Sequence, residues 1–513
     1  MLKALANRQI PWFRIGIIGI FLVSISLRFW GLSRFNTLVF DEIYYAIFAN
    51  NYLTGTPFFN AHPPLSQYII AIGIWLGSHL PFGQDTVNGF PGSLRSTFSY
   101  RWLNALTGAF VPLVVAGIAY QLTHRRSYAF IAALLIAADG LFLVESRYAL
   151  NNVYLVILGL LGQWCLLLAL NDKGRRRWNW LMLSGVWFGA SAAIKWNGLW
   201  FLLGAYMIWA AAWVIHWTPV KKQTAEFESE DNLGQGRQRP YIATALENLT
   251  QLKLVHIVLA LGVIPVAIYS LLWIPHLLMN PKPGFWDMQK EILLYHERIG
   301  DGPTVHPYCS KWYTWPLMLR PIAYFYETAR NPYETVPALP PLPADTVKVI
   351  YDVHAMGNPV LYWLSTGAIL LLVVFLGQQI LKGVGWKLPI TPFTWIPLYL
   401  VLNYTANLLP WIKVTRCTFL YHYMGASVFA ALALAWIIDQ CLHSFQQYLR
   451  GLGVTLIFLI LLGFVYWMPV YLGLPLSPQE YASRMFRVET SLLPLWLQQI
   501  LPSWVQGWLL NWI

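Results

Sequence analysis

Long apolar runs recur along this chain, separated by short basic loops, and that pattern leaves few folds open. The runs fall at about 15–30, 102–121, 128–145, 150–170, 179–195, 198–217, 254–278, 359–381, 388–409, 416–440 and 452–472, eleven in all. Each is near the roughly 20 residues an α-helix needs to cross a bilayer. With 57% of 513 residues hydrophobic and 11% charged, a water-soluble globule would expose apolar patches too large to stay in solution. That excludes a soluble enzyme, a disordered chain and a collagen-like fibre. A transmembrane barrel does not fit either, because barrels read as short alternating segments. The expected fold is an all-α polytopic membrane protein with eleven spans.

The net charge of +12 does not point to nucleic acid, because the basic residues are sparse and scattered between apolar runs. They instead orient the chain. An inside N-terminus places His124-Arg125-Arg126, Lys173 to Arg177, Lys221-Lys222, Lys382 to Lys387 and Arg450 in the cytoplasm, as the positive-inside rule requires. The expected location is therefore the plasma (inner) membrane, with 33–100, 279–357 and 473–513 facing outward. No small-residue cleavage site follows the first run, so it reads as an uncleaved span. Leu65 to Leu80 reads as an interfacial helix after a Pro pair. The C-terminus from Ser491, with Trp496, Trp504, Trp508 and Trp512, also reads as interfacial. The stretch 223–240 reads as a flexible cytoplasmic loop. The organisation is an N-terminal transmembrane module over 1–278 with a first outward catalytic loop (33–100), a large outward loop over 279–357, and a C-terminal transmembrane module over 358–513. Cys165, Cys309, Cys417 and Cys441 include no CxxC pair. Cys309 and Cys417 both face outward, but no disulfide between them is expected.

The residues able to carry chemistry gather at outward ends of the runs. Asp41 and Glu42 sit among Phe40, Ile43, Tyr44 and Tyr45. A carboxylate that loses solvent among aromatic rings gains proton affinity, which suits a general base; a solvated loop is the plainer reading. His62, in NAHPPLSQY, serves either as a ligand or as a turn-orienting hydrogen-bonder. Asp139 lies within a run, about 12 Å inward of Arg147 at helical rise. It faces either a cavity or an interhelical partner. Arg147, Lys195, Lys413, Arg416 and His422 are placed to meet an anionic headgroup, with snorkelling the plainer alternative for Arg147 and Lys195. The run HPYCSKWYTWPLMLRPI (His306 to Ile322) adds His306, Lys311, Trp312 and Arg320. Several outward cations facing loops that hold a carboxylate pair suggest a site for a lipid-linked phosphate.

These stretches, taken in order, resemble the protein O-mannosyltransferase family, the dolichyl-phosphate-mannose-protein mannosyltransferases and their bacterial relatives. The matching residues are Asp41-Glu42, His62-Pro63-Pro64-Leu65, Asp139 with Ser146-Arg147-Tyr148, Lys195-Trp196-Asn197-Gly198-Leu199, the 306–322 run, Gly357-Asn358-Pro359, and Leu409 to Tyr423. The resemblance implies a C-type membrane glycosyltransferase fold of about eleven spans. Two departures stand out. The outward loop over 279–357 is too short for the β-trefoil MIR domain of eukaryotic members, which suggests a bacterial-type enzyme. Asn152 stands where many members have Asp, and Glu145 is expected to supply part of the missing charge.

The resemblance further implies a polyprenyl-phosphate-mannose donor and Ser/Thr hydroxyls of translocated polypeptides as acceptors. It leaves room for an association with the protein-translocation machinery and implies no nucleic acid, metal or cofactor. One inverting displacement would need one base and a stabilised leaving group. Asp41 is the expected base, and Glu42 is expected to position acceptor or sugar. Arg147, Arg416, Lys195, His62 and His422 are expected on the donor. Glu145, His306, Lys311 and Trp312 are expected at the acceptor or loop site. Alternatives are a same-fold enzyme moving another sugar to a lipid or cell-wall glycan, a transporter, and a scaffold without activity. The one-sided clustering of the polar residues argues against a transport path, which would run through the midplane.

Overall fold

The computed structural model describes residues 11–217, 248–329, 348–382, 392–489, 494 and 508–512. The first membrane helix, α1 (Trp12–Phe29), is followed by two short helices, α2 (Glu42–Thr54) and α3 (Leu65–Gly77), and a hairpin of β1 (Val87–Phe90) and β2 (Ser93–Ser96). Then come α4 (Thr97–Thr123), the bent pair α5 (Arg126–Ala137) and α6 (Gly140–Arg147), α7 (Asn152–Asn171), α8 (Gly174–Ala192), α9 (Leu199–Trp217) and α10 (Leu254–Met279). The long segment between α10 and the C-terminal helices holds α11 (Phe285–Arg298) and an antiparallel hairpin of β3 (Ile322–Ala329) and β4 (Val349–Ala355). The C-terminal part contains α12 (Pro359–Lys382), α13 (Pro392–Leu408), α14 (Met424–Leu442), α15 (Gln447–Leu472) and α16 (Pro478–Arg484). A last small ladder pairs β5 (Arg487–Glu489) with β6 (Trp508–Asn511).

Eight helices among the described residues are long and apolar enough to cross a membrane, or nine if the bent pair counts as one span. The count of eleven read from the sequence is not met on these terms. The two remaining runs are helical as well. However, α8 opens with the polar GRRRWNW, and α13 has 17 residues. The stretches 223–240 and Trp496 to Trp504 lie outside the described residues.

Burial sorts the bundle into layers. The spans built on α7 and α14 are 78% buried, while α1 is 17% buried and presents Ile15, Ile18, Leu22 and Val23 outward. Apolar side chains facing outward from the peripheral helices suit lipid contact. Close helix packing rests on Gly185 of α8, where a Cβ would collide with the backbone oxygen of Ala260 in α10.

Three features position the candidate site. The α5/α6 bend of 59° is formed at Asp139, whose carboxylate caps α6 by accepting from the Leu141 N–H at 2.8 Å. This settles the open reading of Asp139: it is an N-cap inside the bundle. A second small core of Trp273, Met288 and Ile292 seats α11 against α10. Finally, Cys309 and Cys417 form a disulfide, contrary to the sequence expectation. It is flanked by hydrogen bonds from Ser310 N to Thr418 O at 2.8 Å and from Cys417 N to Gly300 O at 2.8 Å. The loop and the segment carrying Arg416 are thereby stitched together.

Candidate active site

A cavity of about 880 Å³ opens beside the turn between α8 and α9. Its polar wall contains His62, Lys195, Gln289, His296, Lys413, Arg416 and His422. Its apolar wall is formed by Leu202 and Tyr206 of α9 and by Leu261, Pro265, Val266 and Tyr269 of α10. A space that is cationic at one end and hydrocarbon-lined between two membrane helices matches a molecule with an anionic head and an apolar tail.

Lys195 is the central cation. Its Nζ donates to Asn152 Oδ1 at 3.0 Å and lies 5.2 Å from the Tyr421 ring and 6.0 Å from the Tyr45 ring. Arg416 makes one described side-chain hydrogen bond, from Nη1 to Cys417 O at 3.0 Å. Most of its donor fork is therefore available to an anion. His422 is stacked on Trp315 and edge-on to Trp411, with Nδ1 held at the Phe419 backbone. His62 and His296 pack with ring centroids 5.0 Å apart. Burial, and after it Lys195, holds His62 well below the usual imidazole range. His296 is pushed down to about 4, chiefly by burial. Both rings are thus neutral hydrogen-bonding groups at pH 7, not cations.

Asp41 is not part of the cavity wall but neighbours Lys195. No hydrogen bond or ion pair among the described residues holds its carboxylate. Burial raises it to about 6, with the Lys195 ammonium acting against that rise. Phe40, just before it, has a φ of 50°, a left-handed conformation unusual for a bulky residue. The backbone there is pinned by Glu42. This carboxylate is fully buried and accepts from Val39 N at 2.8 Å, Ala149 N at 2.8 Å, Arg101 Nε at 2.9 Å and Arg101 Nη2 at 2.7 Å.

The comparisons with known proteins agree with this geometry. A model of the dolichyl-phosphate-mannose-protein mannosyltransferase family matches residues 18–279, and one of the C-terminal four-transmembrane region of protein-O-mannosyltransferase matches 282–489. The chain belongs to this family. It is 24% identical over 520 residues to the polyprenol-phosphate-mannose--protein mannosyltransferase of Mycolicibacterium smegmatis, covering 90% of this chain and 88% of that one. It is 23% identical to the protein of the same name from Mycobacterium tuberculosis, covering 96% and 92%. The fold matches the Saccharomyces cerevisiae protein O-mannosyltransferase Pmt1-Pmt2 complex bound to the sugar donor, with a TM-score of 0.71 at 13% identity over 94% of this chain and 93% of that one. The helical membrane fold expected from the sequence is thus shared with a solved protein O-mannosyltransferase.

Within this mannosyltransferase, the residues expected at the site divide into four groups. Lys195, Arg416, His62 and His422 meet at the cavity, with Asp41 beside them. Glu42 and Arg147 do not meet it. Glu42 was expected to position substrate, yet every bond it makes is internal, and it shapes the turn that carries Asp41. Arg147 was expected on the donor phosphate. Instead its Nη1 donates to the carbonyls of Leu27 at 2.7 Å, Arg28 at 3.2 Å and Trp30 at 2.7 Å. It satisfies the C-terminal carbonyls of α1. His306, Lys311 and Trp312 also lie away from the cavity wall: His306 packs edge-on to Phe419, Lys311 pairs with Asp301, and Trp312 packs partly buried on the core. Glu145 is buried behind Lys195, bonded to Asn152 and Tyr324.

The sequence reading missed Arg101, Tyr324 and α11. Gln289, Ile292, Leu293 and His296 all line the cavity at i, i+3, i+4 and i+7, one face of a helix. That spacing was a signal available in the sequence.

Proposed function

We propose that this protein transfers mannose from a polyprenyl-phosphate-mannose to Ser or Thr hydroxyls of polypeptides, in one inverting step. The observation that carries the reading is the pairing of an unpartnered carboxylate, Asp41, with a cation-ended, hydrocarbon-walled cavity. The names of the mycobacterial relatives fit the same chemistry.

In this reading the polyprenyl tail lies along Tyr206, Leu261, Pro265 and Val266, and the phosphate meets Lys195 and Arg416. Asp41 takes the acceptor proton as the oxygen attacks the anomeric carbon. The phosphate leaves with the electron pair of the broken glycosidic bond, and its charge is met by the two cations. No protein nucleophile and no metal is needed, because positive charge already stands where negative charge develops. His62 and His296, as neutral rings, offer hydrogen bonds to sugar or phosphate oxygens, and His422 lines the same wall. The Cys309–Cys417 disulfide supports an outward site in a plasma membrane, since disulfides persist in oxidising compartments. Acceptors emerging from a translocation channel would reach it there.

The test uses purified protein in detergent, a polyprenyl-phosphate-mannose and a Ser/Thr-rich peptide, with Asp41→Asn alongside. The expected result is one added hexose by mass spectrometry, absent in the variant while its thermal unfolding is unchanged. Donor consumption that depends on Asp41 without peptide hexose would move the acceptor to a lipid or glycan. An intact donor with folded protein would refute the transferase reading.

A further inference from the structure

Asn152 stands between a cation and a carboxylate. Its Oδ1 accepts from Lys195 Nζ at 3.0 Å and its Nδ2 donates to Glu145 Oε2 at 3.0 Å. The amide orientation is dictated by chemistry: an ammonium only donates and a carboxylate only accepts. The other carboxylate oxygen, Oε1, accepts a hydrogen bond from the Tyr324 hydroxyl in β3. The Tyr324 ring is stacked on Phe40 with centroids 4.2 Å apart and planes 10° from parallel. One chain of contacts therefore runs from the cavity cation through Asn152, Glu145 and Tyr324 to the residue preceding Asp41. Lys195, Asn152, Glu145 and Tyr324 are all buried, so bulk water does not screen their contacts.

We propose that Glu145, Asn152 and Tyr324 are positioning residues acting as one unit, which holds a single negative charge behind Lys195 and ties strand β3 to the backbone of Asp41. This rests on the transferase reading above. The other charged or titratable groups around Lys195 are Asp41, Tyr45, His62, His296, Arg416, Tyr421 and His422. The variants below leave all of them in place.

Charge exchange is the decisive test. Glu145→Gln removes the charge, Asn152→Asp doubles it, and the double variant Glu145→Gln/Asn152→Asp restores one charge while keeping every donor and acceptor matched. A glutamine at 145 would donate to the carboxylate at 152 and accept from Tyr324. Each single variant is expected to lose about tenfold in kcat, the size of one charge-assisted hydrogen bond, and the double variant to recover most of it. Tyr324→Phe keeps the stack and is expected to lower kcat severalfold, with a fall in melting temperature from the lost hydrogen bond to a buried carboxylate. Acylation of Lys195 by a small amine-reactive reagent, read by mass spectrometry, tests the same unit without turnover. It is expected to be faster in Glu145→Gln and back at the wild-type rate in the double variant. A double variant no better than the poorer single variant in either readout, or full activity in Glu145→Gln, would overturn the proposal. An inactive wild type with the acylation pattern intact would instead sink the transferase reading and leave the unit standing.

Discussion

Arg147 and Arg416 carry the same charge in different surroundings. Arg147 directs its Nη1 at the carbonyls of Leu27, Arg28 and Trp30, whereas Arg416 reaches into the cavity with most of its fork unoccupied. Arg416→Lys is therefore expected to keep the protein folded and lose much of its activity, because an ammonium cannot reproduce a bidentate phosphate contact. Near-normal turnover would remove Arg416 from the site. The buried Glu42–Arg101 pair behaves differently. Arg101→Met would leave a carboxylate buried and unpaired, at a cost of about 3–5 kcal/mol, visible as a large drop in melting temperature. Asp41, as the proposed base, is expected to govern the pH response. Its conjugate acid dominates below about 6, and a base must be deprotonated to act. Thus kcat/KM is expected to fall as pH drops through that value and to be flat above it on this limb. A profile without an acid limb would exclude Asp41 as the base.

At the scale of elements, polar residues inside the membrane bundle serve helix ends. Asp139 marks the break between α5 and α6 and caps the second helix. If capping is its role, Asp139→Asn should behave as wild type, because Asn caps as well as Asp. Asp139→Ala should lose about 1 kcal/mol in thermal unfolding. A loss of turnover in the Asn variant would assign the carboxylate a further role. The periodicities visible in the sequence found this helix pair as one run, and read a helix over Leu65 to Leu80 where α3 spans Leu65–Gly77. They could not locate the bend, since apolar periodicity continues across it. Nor could they find the Cys309–Cys417 disulfide, which joins residues 108 positions apart; spacing carries no pairing information over that distance.

At the scale of the whole molecule, the site lies at one end of the bundle and a basic belt at the other. Arg125 pairs with Asp439 at 2.9 Å, and Arg177 donates to Asn248 at 2.7 Å, both one helix length from Lys195 and Asp41. The positive-inside rule then predicts that a membrane-impermeant reagent labels a cysteine placed at Glu297 in intact cells, and one placed at Arg176 only in inverted vesicles. The opposite pattern would invert the topology. What the sequence by itself determined is what hydropathy and residue order encode locally: a helical membrane bundle and an ordered set of motifs that names the family. It also brought forward Asp41, Lys195, Arg416, His62 and His422. Tertiary structure alone decided which charges are free for substrate and which are consumed by the fold. Glu42 is bonded to Arg101, 59 positions away, and Arg147 to Leu27, 120 positions away. A charged side chain brought out of water must find partners, and its partners here come from helices far apart in the chain. Its availability for chemistry is therefore a property of the packed bundle, which no local pattern contains.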